Sequence, residues 1–161
     1  MNRHSATMTT PGRHLRMTKL LFFSIVGFVG LAVVAALLIV HYNRLSWDLK
    51  EYSAILVWVM ALLSLILLII SKRFFNKGVA AAKISLKPLV DKLNQYRSAL
   101  LVHLAICEAA AMMNIVVFIF TANSAFLVFA AVLLGCMMAV MPLKRRLVAE
   151  LELDSQESEL V

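Results

Sequence analysis

The stretch from Leu20 to Val40, LLFFSIVGFVGLAVVAALLIV, runs for 21 residues without a charged side chain. A helix rises about 1.5 Å per residue, so such a run reaches across the roughly 30 Å of a bilayer's hydrocarbon core. Tyr52 to Ile70, YSAILVWVMALLSLILLII, is equally free of charge. Leu100 to Phe120 is a third apolar run, broken by His103, Glu108 and Asn114, and Ala125 to Met141 is an uncharged fourth. Lipid offers a backbone no hydrogen bonds, so each run is expected to be a helix. The alternating ten-residue segments of a membrane β-barrel are absent from the sequence. The expected fold is all-α: a single-domain four-transmembrane-helix bundle of up-down topology, with spans at about 20–40, 52–70, 100–120 and 125–141.

Composition points the same way. Of 161 residues 62% are apolar and 16% charged, against about 45–50% and about 25% in soluble domains. A chain of this size exposes too much of its surface to hide that excess from water. The first run follows a basic segment, as a signal peptide would, but it continues through Ala35 and Ala36 to Val40. A signal core is about 7–15 residues and ends at a polar cleavage region, so an uncleaved first span is expected.

The placement of lysine and arginine sets the expected orientation. Residues 1–19 form a basic arm with Arg3, Arg13, Arg16 and Lys19. Residues 71–99 carry Lys72, Arg73, Lys77, Lys83, Lys87, Lys92 and Arg97, and Lys144, Arg145 and Arg146 follow the fourth run. Between runs one and two, Arg44 and Lys50 are balanced by Asp48 and Glu51, and Thr121 to Ser124 has no charge. With four spans, every basic cluster falls on one side. Both termini and the middle connection are then cytoplasmic, in the manner of a bacterial inner-membrane protein. Tyr42, Trp47 and Tyr52 would sit at the outer interface, where amphipathic rings collect. The formal charge of +7 is thereby assigned to anionic headgroups rather than nucleic acid. Lys72, Arg73, Lys87, Lys92, Arg97, Lys144, Arg145 and Arg146 are the expected lipid contacts, at about 1 kcal/mol each.

The connections carry signals of their own. TANS is a tight turn, which makes the third and fourth helices antiparallel neighbours. Leu86, Leu89, Val90, Leu93, Tyr96 and Leu100 recur at helical spacing, so a helix is predicted to start near Pro88 and run into span three. Gly78 is read as the end of an extension of span two. In the 142–161 tail the basic triplet gives way to Glu150, Glu152, Asp154, Glu157 and Glu159, which read as a solvated, partly disordered end. Three sets of small residues suggest close helix packing: Ser24, Gly27 and Gly30; Ala54, Ala61 and Ser64; Ala131, Gly135 and Ala139.

Span three holds the candidate chemistry. A carboxylate at mid-membrane costs about 2.5–3.5 kcal/mol, so Glu108 needs a partner. At 100° per residue, His103, Cys107, Glu108, Ala111 and Asn114 fall within an arc of roughly 140°, and the opposite side is apolar. The polar arc is expected to face the bundle, with Glu108 near His103, Cys107, Asn114 or a neighbouring helix. Its role is either cross-helix hydrogen bonding or a proton or cation site at Glu108 with His103 as a relay. No cofactor or metal is expected. His103 and Cys107 share a face, but no full ligand set accompanies them, and Cys107 and Cys136 lie within apolar runs without disulfide-type spacing. No nucleophile elbow, phosphate loop or metalloprotease motif occurs.

The second half, KLNQYRSALLVHLAICEAAAMMNIVVFIFTAN from Lys92 to Asn123 with Pro142 after the fourth run, resembles a family of small four-span membrane proteins of Bacteroidota. Tyr96, Ala99, Leu100, Glu108, Thr121, Asn123 and Pro142 match its pattern. His103 stands where that pattern has arginine, and Ala109 and Ala122 replace its glycines. The resemblance implies the four-span fold and draws attention to Glu108, but implies no activity. The alanine-flanked Glu108 before Ile115, Val116 and Val117 is also similar to the ion-binding helix of rotary ATPase proteolipids. Five glycines in the chain and a glutamate in the third span depart from that pattern.

The expected class is a non-enzymatic membrane protein that works through assembly, with itself or with another membrane protein. The alternative is a small proton- or cation-conducting or transport subunit that uses Glu108.

Overall fold

A computed structural model describes residues 11–43, 52–84, 89–142 and 148–149. Lys87, Lys144, Arg145, Arg146, Trp47 and the acidic tail lie outside these residues. Four helices follow one another: α1 Pro11–Asn43, α2 Ser53–Ile84, α3 Leu89–Thr121 and α4 Ala125–Ala139. By length and composition α1, α2 and α3 can each cross a membrane, whereas α4 has 15 residues, about 22 Å of helix.

The long helices outrun their apolar stretches. α2 continues past Ile70 through Lys72, Arg73, Lys77 and Lys83, since lysine and arginine favour a helix as well as leucine does. The connection expected over 71–99 is thus largely two helical extensions. α3 opens at Leu89 and runs unbroken into the apolar stretch, as the predicted start near Pro88 requires.

Gly78 does not end a helix; it lies inside α2. A Cβ built on it would overlap the Cβ of Ala99 in α3. Glycine serves close approach here rather than a left-handed cap. The left-handed position lies in the α3–α4 turn, where Ala122 has φ 51°. Its N–H donates to the Phe118 carbonyl at 2.8 Å, the bond that closes an αL helix end. The Asn123 side-chain oxygen accepts from the Ala125 N–H at 3.0 Å and starts α4.

α3 is the hub. It packs along α2 most extensively, then along α4 and α1, while α2 and α1 each touch α4 sparsely. Burial follows a three-four spacing. α2 buries Met60, Ser64, Ser71, Phe75 and Ala82, and α4 buries Phe126, Ala130, Leu133 and Met137. On α3, Leu93, Tyr96, Leu100, His103, Cys107, Ala110, Asn114 and Thr121 keep one stripe, with Leu104, Ala111, Ile115 and Phe118 beside it. The α3 stripe has a mean period of about 3.5 residues, that of left-handed helix pairs. α1 commits only a narrow line, Thr18, Phe22, Val29 and Ala36.

Candidate functional site: the polar seam and the groove beside it

Three of the four polar candidates of α3 meet α2. His103 is 3%, Cys107 1% and Asn114 0% exposed. Ser71 of α2, itself fully buried, lies in hydrogen-bond contact with His103 Nδ1. Its hydroxyl is also 3.0 Å from the His103 carbonyl oxygen and 3.7 Å from Cys107 Sγ. Cys107 Sγ lies 4.0 Å from His103 Nε2.

Two neutral tautomers give every hydrogen of this trio an acceptor. In one, Nδ1–H donates to Ser71, Ser71 to the carbonyl, and the thiol to Nε2. In the other, Nε2–H donates to Cys107, the thiol to Ser71, and Ser71 to Nδ1. The serine–histidine contact resembles a nucleophile–base pair, but Ser71 has no access to solvent. The second imidazole nitrogen faces a thiol rather than an orienting carboxylate. Phe75 closes the trio, its ring 5.6 Å from His103 and 5.9 Å from Tyr96.

The second node lies one heptad along. Asn114 Nδ2 donates to Ser64 Oγ and to the Ala110 carbonyl, each at 2.8 Å. Its Oδ1 is buried without a hydrogen bond. Such pairs typically contribute about 0.6 kcal/mol and rarely above about 1.7 kcal/mol between membrane helices. Ser71 was absent from the sequence-based candidates. The signal that could have found it is the seven-residue repeat Ser64, Ser71, Gly78, which matches Asn114 and Cys107 in antiparallel order.

Glu108 stands apart. It is half-buried and has no hydrogen-bond or ion-pair partner among the described residues. The expected contact with His103, Cys107, Asn114 or a neighbouring polar atom is not formed. At 100° per residue Glu108 lies a full step around the helix from Cys107, outside the stripe that α2 covers. The register also changes its level. The pairs Ser64–Asn114, Ser71–Cys107 and Gly78–Ala99 bring residue 108 level with residue 70 of α2, where that helix's uncharged run ends. The apolar runs of α2 and α3 are therefore offset by about two turns, about 10 Å.

Among the basic candidates, Lys72 and Arg73 are exposed, and Lys92 and Arg97 are half-buried. Both cysteines are free, Cys107 buried and Cys136 half-buried. Among the described residues no three His, Cys, Asp or Glu side chains converge as metal ligands.

Beside the seam, α2 and α4 leave a groove of about 290 Å³. Leu68, Lys72, Phe75 and Asn76 line one side, Cys136, Ala139 and Val140 the other, and His103 is at its base. A second hollow of about 160 Å³ continues from Leu68 past Leu65, Ser64 and Ala61, facing Phe129, Val132 and Leu133.

Of the three expected small-residue sets, only Ser64 is buried at the seam, where Ser71 and Gly78, in none of those sets, also pack. Ser24, Ala54, Ala131, Gly135 and Ala139 are exposed, Ala61 borders the groove, and a Cβ on Gly27, Gly30 or Gly135 would meet nothing within 4 Å. Comparison of the chain with family models, with curated proteins and with solved structures finds no match.

Proposed function

We propose that this chain is a four-span protein of a bacterial inner membrane, termini cytoplasmic, that acts without catalysis by assembling with itself or with another membrane protein. What supports this reading is the outer face of α4. Ala131 and Gly135, four residues apart, are exposed there, and a Cβ on Gly135 would meet nothing within 4 Å among the described residues. Lipid gains little from a glycine, whereas a second helix can approach it closely. The 15 residues of α4 suffice for a span when Val140, Met141 and Pro142 complete the crossing. The clustering of lysine and arginine supports the orientation, and Lys72 and Arg73 would meet anionic headgroups.

Purification of the full chain in mild detergent with a mass measurement tests this. A multiple of 17.9 kDa, or a stable heteromer, is expected, and Gly135→Ile should dissociate it. A strict monomer with no retained protein partner would refute the assembly reading. A reporter fused at Asn123 should be inactive if it requires the cytoplasm.

The second reading, a proton- or cation-conducting or transport subunit, draws on Glu108, a half-buried carboxyl with no partner among the described residues. The seam works against a conduit within one copy, because Ser64, Ser71, His103, Cys107 and Asn114 are all buried. Loss of ion flux in Glu108→Gln, with assembly unchanged, would favour the second reading.

A further inference from the structure

We infer that the groove between α2 and α4 is a binding site for one anionic phospholipid, phosphate at Lys72 and acyl chain along the apolar hollow. The inference assumes the membrane orientation above but not the assembly.

Three features select this occupant. The first is a change of character along the groove. Its upper part is lined by Lys72 and Asn76, whose ammonium and amide groups can donate hydrogen bonds to phosphate oxygens. Its lower part is walled by Leu65, Leu68, Phe129, Val132 and Leu133. A soluble anion would have no use for that half, and an acyl chain alone none for the other.

The second feature is length. From Lys72 to Ala61 is eleven residues of helix, about 16 Å, close to half of a hydrocarbon core of about 30 Å. The groove is therefore one leaflet deep. A transmembrane helix of a partner would need twice that track.

The third is level. Lys72 follows directly on the uncharged run that ends at Ile70, which places its ammonium at the headgroups of the leaflet that carries the basic clusters. Arg73 and Lys77 belong to the same basic stretch of α2 but do not line the groove. This separates a built site from general attraction to an anionic surface.

The test uses the full chain in vesicles of equal phosphatidylglycerol and phosphatidylcholine, extracted in mild detergent, with retained lipid counted by native mass spectrometry. One phosphatidylglycerol per chain is expected. Lys72→Gln should lower its retention roughly fivefold, while Lys77→Gln, outside the groove, should change it less than twofold. Val132→Trp, at an exposed position that borders the lower hollow, should also release the lipid by filling the acyl track. Equal retention of both lipids would overturn the proposal, as would equal losses from the two lysine variants. If Lys72→Gln releases the lipid and Val132→Trp does not, the site holds a headgroup only and the acyl track is refuted. Folding of each variant is checked by its helical circular dichroism.

Discussion

α2 and α4 both carry small residues at regular helical steps, and the two sets do opposite things. Ser64, Ser71 and Gly78 are seven apart and lie against α3, where two of them hydrogen-bond and the third admits Ala99. Ala131, Gly135 and Ala139 are four apart and exposed, Ala139 at the edge of the groove between α2 and α4. The difference is one of period. Seven-residue steps stay on one seam of a left-handed pair, which has 3.5 residues per turn relative to its partner. Four-residue steps suit the right-handed crossing of small-residue motifs. The described bundle does not bring a helix onto Ala131 or Gly135, and both remain exposed.

The largest effect should come from filling the tightest point of the seam. Gly78→Ala is expected to cost about 1–3 kcal/mol from overpacking against Ala99. Ala99→Gly in the same chain should recover much of it, read by denaturant titration in detergent. Gly135→Ala, by contrast, should stay within about 0.5 kcal/mol in the monomer. Equal costs at the two glycines would erase the distinction between inner and outer small faces.

Next comes the distal node. A double-mutant cycle of Ser64→Ala and Asn114→Ala should return a coupling of about 0.6 kcal/mol and not above about 1.7 kcal/mol. The same cycle between Ser64 and Glu108 should return nothing, because Glu108 does not reach α2's serines. A third expectation concerns the turn that positions α4. Ala122 holds a left-handed backbone that costs a residue with a Cβ roughly 1 kcal/mol. Ala122→Gly should raise stability by up to about that amount, less the added chain entropy of glycine. A loss would mean that the Ala122 methyl contributes packing.

The smallest effect is expected at Glu108. With no partner for Glu108 among the described residues, Glu108→Gln should change the monomer's stability by less than about 0.5 kcal/mol. A large loss would show that the carboxyl is held by a contact outside the described residues or by another chain.

How far these elements were legible from residues alone differs from one to the next. The helices α1, α2 and α3 follow from charge-free runs, as does the all-helical class, because a backbone in lipid has no other way to satisfy itself. That the polar side of α3 turns inward was also readable, since His103 and Asn114 are costly against lipid, and His103, Cys107 and Asn114 are buried there. Gly78 was misread because glycine ends helices and permits close approach equally well, and only a neighbour such as Ala99 distinguishes the two.

Glu108 marks the boundary between the two kinds of knowledge. Along its own helix it sits at the centre of an apolar run, which is all that one segment can report. The register with α2 brings it level with Ile70, beside the first lysines, and the rotation of α3 turns it off the seam. Sequence determined the helices, the apolar lengths and the polar stripe of α3, because these are properties of single segments in lipid or water. Tertiary structure alone decided which small residues are inside, which polar groups meet, and where along the bundle each charge lies. Those depend on the relative shift and rotation of two helices, and a shift of one heptad moves a side chain by about 10 Å with no change in either helix's own pattern.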